Sequence, residues 1–279
     1  MREVRFKQVD VFTKVPFRGN PVAVVLEGEG LSADVMQRIA GWTNLSETTF
    51  VLPPSSADAD YRLRIFTPRM ELPFAGHPTI GSAHAVLEAG IAKAKGGRLR
   101  QECGAGILDL AVDGGTLWLD SPKATESAFT ETPALEKMLG AKVKGAPLIM
   151  NVGPRWLIAE LGDAAVVGAI APDMAAVAAL SVRLEIGGVT VYGAANDGKS
   201  AIHVRSFAPA HAIPEDPVCG SGNISVAAYL RKAGRLGGGY VARQGMQLGR
   251  DGEVSIRFEG DKILLGGSAV TCIEGVLRI

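Results

Sequence analysis

Two short stretches of this chain bring together residue types that can hold an anion and move a proton. The later one runs from Arg205 to Leu230 and centres on Glu215-Asp-Pro-Val-Cys219-Gly-Ser-Gly222. It reads as a strand, a polar turn, a glycine-rich corner and an apolar helix. Gly220 and Gly222 allow a tight backbone turn with exposed amides. The first N–H groups of the following helix have no partner inside the helix, so its start is a ready cradle for a carboxylate. Glu215, Asp216 and Cys219 stand beside that cradle as ionisable groups. A thiol at a helix start tends toward a lowered pKa, which makes Cys219 a candidate acid or base. The plainer alternative is a small buried hydrophobe tolerated at a corner.

The earlier stretch, Arg64 to Gly90, repeats the design. Phe66-Thr-Pro68 corresponds to Phe207-Ala-Pro209 with a shift of 141, and Ala75-Gly76 to Cys219-Gly220 with a shift of 144. The second copy therefore carries three extra residues in the turn holding Glu215 and Asp216. A repeat of this length predicts two similar units with two comparable helix starts facing one cleft. His77 occupies the first helix start, where the helix dipole favours the neutral imidazole. It can serve there as a proton or hydrogen-bond partner, or simply cap the helix. Glu47 opens a strand of Thr, Phe, Val and Leu. Partial burial would suit it to a proton shuttle, but residue type alone favours a solvated loop carboxylate.

The elements that must position these groups follow from periodicity. Strands are expected at Val4–Phe12, Val22–Leu26, Thr48–Leu52 and Tyr61–Phe66, and a helix capped by Ser32 before Val35 and Met36. Alternating segments from Leu99 to Leu119 predict antiparallel strands around Gly104, Gly106 and Gly114-Gly115, with Cys103 a packed thiol. The polar run Ser121–Thr132 reads as a linker, which divides the chain into 1–125 and 126–279, the first completed if the last strand, 268–279, crosses back. The second half is expected to hold a helix at Pro133–Leu139, strands at Pro147–Val152 and Trp156–Leu161, and a helix at Pro172–Leu180. Strands at Val189–Tyr192 and Ala201–Phe207 follow. After the second cradle, Gly237-Gly-Gly239 is expected to end the helix. Strands at Tyr240–Gly245, Val254–Phe258 and within Ile263–Ile279 complete the chain, with Cys272 as core.

Gly193-Ala-Ala-Asn-Asp-Gly198-Lys199-Ser200 matches a phosphate-binding loop letter for letter. Such a loop needs a helix directly after it. The segment Ala201–Phe207 alternates and is rich in β-formers, and Asn196-Asp-Gly198 signals a hairpin. Nucleotide binding is rejected on that ground.

Composition narrows the classes further. The 279 residues carry 29 basic and 29 acidic side chains, a net charge of zero that favours neither nucleic acid nor a membrane surface. Aromatic residues at 6% provide no base-stacking platform. Three widely spaced cysteines fit a reduced, cytoplasmic setting without a disulfide framework. The charged start is not a signal peptide, and no apolar run approaches the ~20 residues of a membrane span. His and Cys spacings offer no metal site.

Val9-Asp-Val-Phe12, Pro16-Phe-Arg-Gly-Asn-Pro21, Asn44-Leu-Ser-Glu47-Thr, Phe74-Ala-Gly-His-Pro-Thr79, Glu215-Asp-Pro217, Gly220-Ser221 and Gln244-Gly245 together resemble the PhzF-like isomerase family of phenazine biosynthesis. The resemblance spans nearly the whole chain. It implies the diaminopimelate epimerase fold: two pseudo-symmetric α/β halves, each a mixed, mostly antiparallel sheet wrapped around a central helix. It also implies an active site in the cleft at the two helix starts, no cofactor or metal, and a homodimer. By the same resemblance Glu47 becomes the leading catalytic candidate, carrying a proton on a small carboxylate-bearing metabolite. His77 and Asp216 would position substrate or relay protons. Amides near Gly76, Gly220 and Ser221 would bind the carboxylate and enolate-like charge. Cys219 departs from the family and resembles the corner of the two-thiol racemases instead. The partner position there is Ala75, which cannot move a proton. A cysteine-assisted racemase or epimerase and a non-catalytic binding protein are the competing readings.

Overall fold

The computed structural model describes residues 2–235 and 238–279. Contacts divide the chain into two compact units, Met1–Leu119 with Gly266–Ile279, and Asp120–Leu265.

The first unit opens with β1 (Glu3–Val11) and β2 (Asn20–Val25), followed by α1 (Ala33–Thr43), β3 (Thr48–Leu52), β4 (Tyr61–Phe66) and the short β5 (Glu71–Leu72). Helix α2 (Gly76–Glu88) and strands β6 (Arg98–Cys103), β7 (Gly106–Asp113) and β8 (Thr116–Asp120) come next. β1 and β2 are antiparallel, β2 and β3 parallel, β3 and β4 antiparallel, and β4 and β6 parallel. β6, β7 and β8 continue as an antiparallel meander. Ser32 caps α1 by accepting the Val35 N–H at 3.3 Å, as its sequence predicts. Residues His77–Ala83 of α2 are all buried, so this helix is the centre about which the sheet folds. Phe50 and Phe66 meet edge-on at 5.5 Å in a separate cluster that packs beneath α1 with Met36 and Ala40.

The second unit contains β9 (Thr125–Ala128), α3 (Thr132–Leu139), β10 (Lys144–Asn151), β11 (Arg155–Asp163), α4 (Ala164–Ala169) and α5 (Met174–Leu184). It continues with β12 (Gly188–Ala194), β13 (Ile202–Ala208), β14 (Ile213–Asp216), α6 (Gly220–Lys232), β15 (Tyr240–Gln244), β16 (Gly252–Glu259) and β17 (Lys262–Gly267). The last strand, β18 (Ala269–Arg278), belongs to the first unit and runs antiparallel along β1.

The pairing of the second unit repeats that of the first. β9, β10 and β11 are antiparallel neighbours, β11 and β12 parallel, β12 and β13 antiparallel, β13 and β15 parallel, and β15 and β16 antiparallel. This is the order β18, β1, β2, β3, β4, β6, β7, strand for strand. In each unit mixed strands surround a buried helix, the α/β architecture that the repeat predicts.

Several expectations need correction. Ser121–Thr132 is not a plain linker, because β9 forms within it and pairs with β10. Four polar or small residues, Thr125 to Ala128, hide that strand. Helix α4, six residues capped by Asp163, has no apolar periodicity long enough to read, and α5 runs to Leu184 rather than Leu180. Helix α6 ends at Lys232 with Gly234 at φ +65°, earlier than the triple glycine. Gly237 of that triplet lies outside the described residues. Cys272 is half-buried in β18 rather than core.

Between β12 and β13 lies a hairpin in register from Val189↔Phe207 to Ala194↔Ile202, with Gly198 at φ +72°. No helix follows Ser200, so the phosphate-loop match lacks its cradle.

Candidate active site

In the first unit Glu47 immediately precedes β3. Its carbonyl accepts the Ala23 N–H at 3.3 Å, which extends the parallel pairing of β2 and β3 by one residue. Asn44 ends α1 in the left-handed region at φ 54°, and Thr43 and Thr48 share a 2.6 Å hydroxyl hydrogen bond across the turn. Glu47 is thereby held from both sides, with 17% of its side chain exposed. His77 is the second residue of α2 and is buried. Ala75 precedes α2 in an extended conformation and makes no side-chain cap.

These two side chains meet. His77 Nδ1 lies 3.0 Å from Glu47 Oε2, and His77 Nε2 lies 3.0 Å from the Asn20 carbonyl oxygen. A carbonyl only accepts, so Nε2 carries hydrogen and donates it. The Nδ1 contact then holds one further proton, either on the imidazole or on the carboxylate. The pair is thus a proton-holding unit whose orientation is fixed by a backbone group. The start of α2 is steadied by Thr79, whose Oγ1 accepts from Gln101 Nε2 at 3.1 Å, while Tyr61 donates to Gln101 Oε1 at 2.7 Å. Burial pushes the Tyr61 phenol well above its ordinary value, so it remains a donor there.

In the second unit Cys219 is the N-cap of α6, its Sγ accepting the Gly222 N–H at 3.3 Å. A Cβ on Gly222 would lie 2.6 Å from Ser206 Oγ and 2.8 Å from Thr190 Oγ1, so this corner requires glycine. The expected lowering of the Cys219 pKa does not occur. Burial pushes the thiol far up, Asp216 adds to the rise, and the hydrogen bonds from Ser221, Gly222 and Ser206 offset only part of it. Desolvation outweighs the helix start, and the thiol stays protonated.

Glu215 is not an open lip group. It is clamped to Arg205 by hydrogen bonds of 2.9 and 2.8 Å, with both side chains under a tenth exposed. Asp216 is half-buried, and its Oδ1 accepts the Val218 N–H at 3.0 Å. Gln244 joins Asp216 to the corner. It accepts the Cys219 N–H at 3.2 Å and an Asn223 Nδ2 hydrogen at 2.9 Å, and donates to the Asp216 carbonyl at 2.9 Å. Ser221 Oγ accepts from Trp156 Nε1 at 3.0 Å. Gln101, Trp156 and Asn223 are not candidates from sequence, and Asn20 is visible only inside the Pro16–Pro21 motif. Gln244 was visible only as part of a motif. Among the described residues no group of three or more His, Cys, Asp or Glu is arranged to hold a metal ion, and no helix is long and apolar enough to cross a membrane.

A family profile described as "Phenazine biosynthesis-like protein" matches residues 9–275. The chain belongs to the phenazine biosynthesis-like family. Its relatives include "Antisense-enhancing sequence 1" of Schizosaccharomyces pombe, 40% identical over 99% of each chain. Trans-2,3-dihydro-3-hydroxyanthranilate isomerase of Pseudomonas chlororaphis is 34% identical over 96% of this chain and 97% of its own. The crystal structure of a Bacillus anthracis phenazine biosynthesis protein of the PhzF family superposes with a TM-score of 0.90, covering all of both chains at 26% identity. Relatives named isomerases, covered over nearly their whole length, make the protein an enzyme of the isomerase class.

Proposed function

We propose that the protein is a cofactor-independent isomerase that moves a proton between positions of a small carboxylate-bearing metabolite, with Glu47 as the acid/base. The observation that carries this reading is the 3.0 Å contact between Glu47 Oε2 and His77 Nδ1, with His77 Nε2 donating to the Asn20 carbonyl. In the first step a substrate C–H bond breaks. The proton passes to the Glu47 carboxylate, and the electron pair enters the π-system beside the activating group. In the second step the same O–H returns its proton to a different carbon, so the enzyme ends unchanged. His77 holds the carboxylate in place through both steps. The backbone amides near Gly76, Gly220 and Ser221 are suited to the substrate's negative charge.

Cys219 is left outside the proton transfer. Its buried thiol is held protonated, and the matching residue of the first unit is Ala75. A thiol pair as in the racemases is therefore not available from these two positions.

The test is isomerisation and deuterium uptake over a panel of small carboxylic and amino acids in deuterated water. Wild type should incorporate deuterium with at least one compound. Glu47→Gln should lose at least about 100-fold in rate, and Cys219→Ser should retain most of it. Unchanged turnover in Glu47→Gln would refute the assignment.

A further inference from the structure

The Asn20 carbonyl that receives the His77 Nε2 hydrogen sits at the very end of a ladder. β1 and β2 pair as far as Val11↔Asn20, and between those two residues the chain turns through residues 12–19. The turn is strained. Phe12 and Phe17 both lie in the left-handed region, at φ 65° and 69°, a conformation that bulky side chains keep only where their surroundings over-determine it. Gly19 admits no side chain, because a Cβ there would lie 2.0 Å from the Val11 carbonyl oxygen. At the near end the Phe12 and Thr13 N–H groups both donate to the Ser268 carbonyl, at 2.8 and 3.3 Å. At the far end the Gly19 N–H donates to a side chain, Asp10 Oδ2, at 2.9 Å.

That last tie uses an expensive group. Asp10 is 2% exposed, and its other oxygen, Oδ1, is buried with no hydrogen-bond partner among the described residues. Native proteins seldom bury a carboxylate oxygen unsatisfied, since nothing replaces its water. The position of Asp10 accounts for it. The N–H it takes belongs to the residue directly before Asn20, so the carboxylate supplies the rung that the β1 backbone lacks there. Phe12, two residues further along, lies beside the imidazole of His77 with ring centroids 6.5 Å apart. The matching turn of the second unit, between β10 and β11, is built more plainly. There Asn151 Oδ1 accepts the Gly153 N–H at 3.1 Å, but Asn151 is exposed, and Ser221 stands in place of the histidine. The buried carboxylate occurs in the unit that has a histidine to orient.

We propose that Asp10 is a positioning residue for the Glu47–His77 pair: through Gly19 and the Asn20 carbonyl it pins a hydrogen on His77 Nε2 and keeps Nδ1 for Glu47. This rests on the reading of that pair as the acid/base unit. With the carbonyl in place, Nε2 gains a hydrogen bond only by carrying hydrogen. With the carbonyl displaced, the neutral imidazole can carry its hydrogen on Nδ1 and donate it to Glu47 Oε2, and that contact then holds no further proton.

The experiment follows the imidazole nitrogens of the whole protein, labelled with 15N-histidine, by NMR. The chain has four histidines, and His77→Ser identifies the signals of His77. In wild type Nε2 should carry hydrogen whether or not Nδ1 does. In Asp10→Ala the Nε2 signal should move toward the unprotonated position, and kcat should fall at least about tenfold with KM little changed. Asp10→Asn, which still offers an oxygen to Gly19, should keep the wild-type pattern and most of kcat. A wild-type Nε2 without hydrogen would overturn the proposal. So would Asp10→Ala with a lowered urea midpoint but an unchanged His77 pattern and kcat, the result of a merely structural role. Should Asp10→Ala fail to fold, Asp10→Leu, of the same branched shape without an acceptor, takes its place with the same expectation. The nitrogen signals are read without substrate. Absence of turnover therefore counts against the isomerase reading, and an unmoved Nε2 against the role of Asp10.

Discussion

The two units share a frame and differ in what stands on it. In each, a Phe follows two residues after an Arg that stacks over its ring: Arg64 over Phe66 at 5.1 Å and Arg205 over Phe207 at 5.0 Å. Each of these arginines pairs bidentately with a glutamate 144 positions apart in the repeat, Glu71 and Glu215. In each, a buried glutamine holds the fourth residue of the central helix, Gln101 on Thr79 and Gln244 on Asn223. Yet the helix starts diverge. The first carries the titratable His77 against Glu47 and has no cap. At the position of His77 the second carries Ser221, and its cap is a thiol that burial keeps neutral. The two copies share a scaffold, and under the proposed function only the first helix start carries a pair able to move a proton.

That division can be broken at its most unequal point. The Arg205–Glu215 pair is buried, whereas Glu71 is 42% exposed. Glu215→Gln should cost about 3–5 kcal/mol of stability, since it strands a buried guanidinium. Glu71→Gln should cost under about 1 kcal/mol. Urea unfolding of the two variants measures both, and equal costs would erase the contrast.

Next comes the chemistry itself. His77→Ser gives the first helix start the residue of the second, and should lower isomerisation by at least about 100-fold while the fold persists. Ser221→Ala should cost only about tenfold, as a lost hydrogen bond to a charged group does. A larger loss at Ser221 than at His77 would reverse the assignment of roles.

The cap is a smaller lever. Cys219→Ala should destabilise by about 1 kcal/mol, and Cys219→Ser by less, because the hydroxyl still accepts from Gly222. Iodoacetamide should label Cys103 and Cys272, both half-buried, well before Cys219 in the native protein. Peptide mass spectrometry reads the order, and early labelling of Cys219 would show a thiolate where none is expected.

The smallest effect concerns two histidines, one in each unit. Burial lowers the pKa of both His84 and His203, so below about pH 6.5 the unfolded chain binds more protons than the folded one. Their contribution is present above that pH and is lost as pH falls toward their folded values. Glu88 opposes the shift at His84 and Lys7 deepens it, whereas at His203 the Ala164 carbonyl and Gln247 oppose the shift and Arg205 and Arg243 deepen it. His203→Gln and His84→Gln should each flatten the acid side of the stability curve measured by urea unfolding, and an unchanged curve in both would remove the histidines from it.

Much of this was legible in the sequence because it is written in local pattern. The repeat, the strand at Thr48–Leu52, the cap at Ser32 and the hairpin that disqualifies the phosphate-loop match all depend on neighbours a few residues apart. What stayed hidden depends on distance or desolvation. Nothing near His77 indicates that its Nε2 will find a carbonyl 57 positions away, or that Trp156 will reach Ser221 across 65. The thiol was misjudged for the same reason. The helix start can be read from glycines, but the burial that outweighs it comes from the whole unit. Glu215 looked like an open carboxylate because its Arg partner lies on a neighbouring strand.

The strand β18 has a consequence for how the chain comes into being. It completes the first unit alongside β1, although the whole of Asp120–Leu265 is synthesised between the two. During translation the first unit emerges with the outer edge of β1 unpaired, a template open to any other strand. The second unit has all of its own strands in one continuous segment and can close first. The ribosome should thus deliver the second unit finished and the unit that holds Glu47 and His77 last, so that under the proposed function turnover begins only when the final strand is seated.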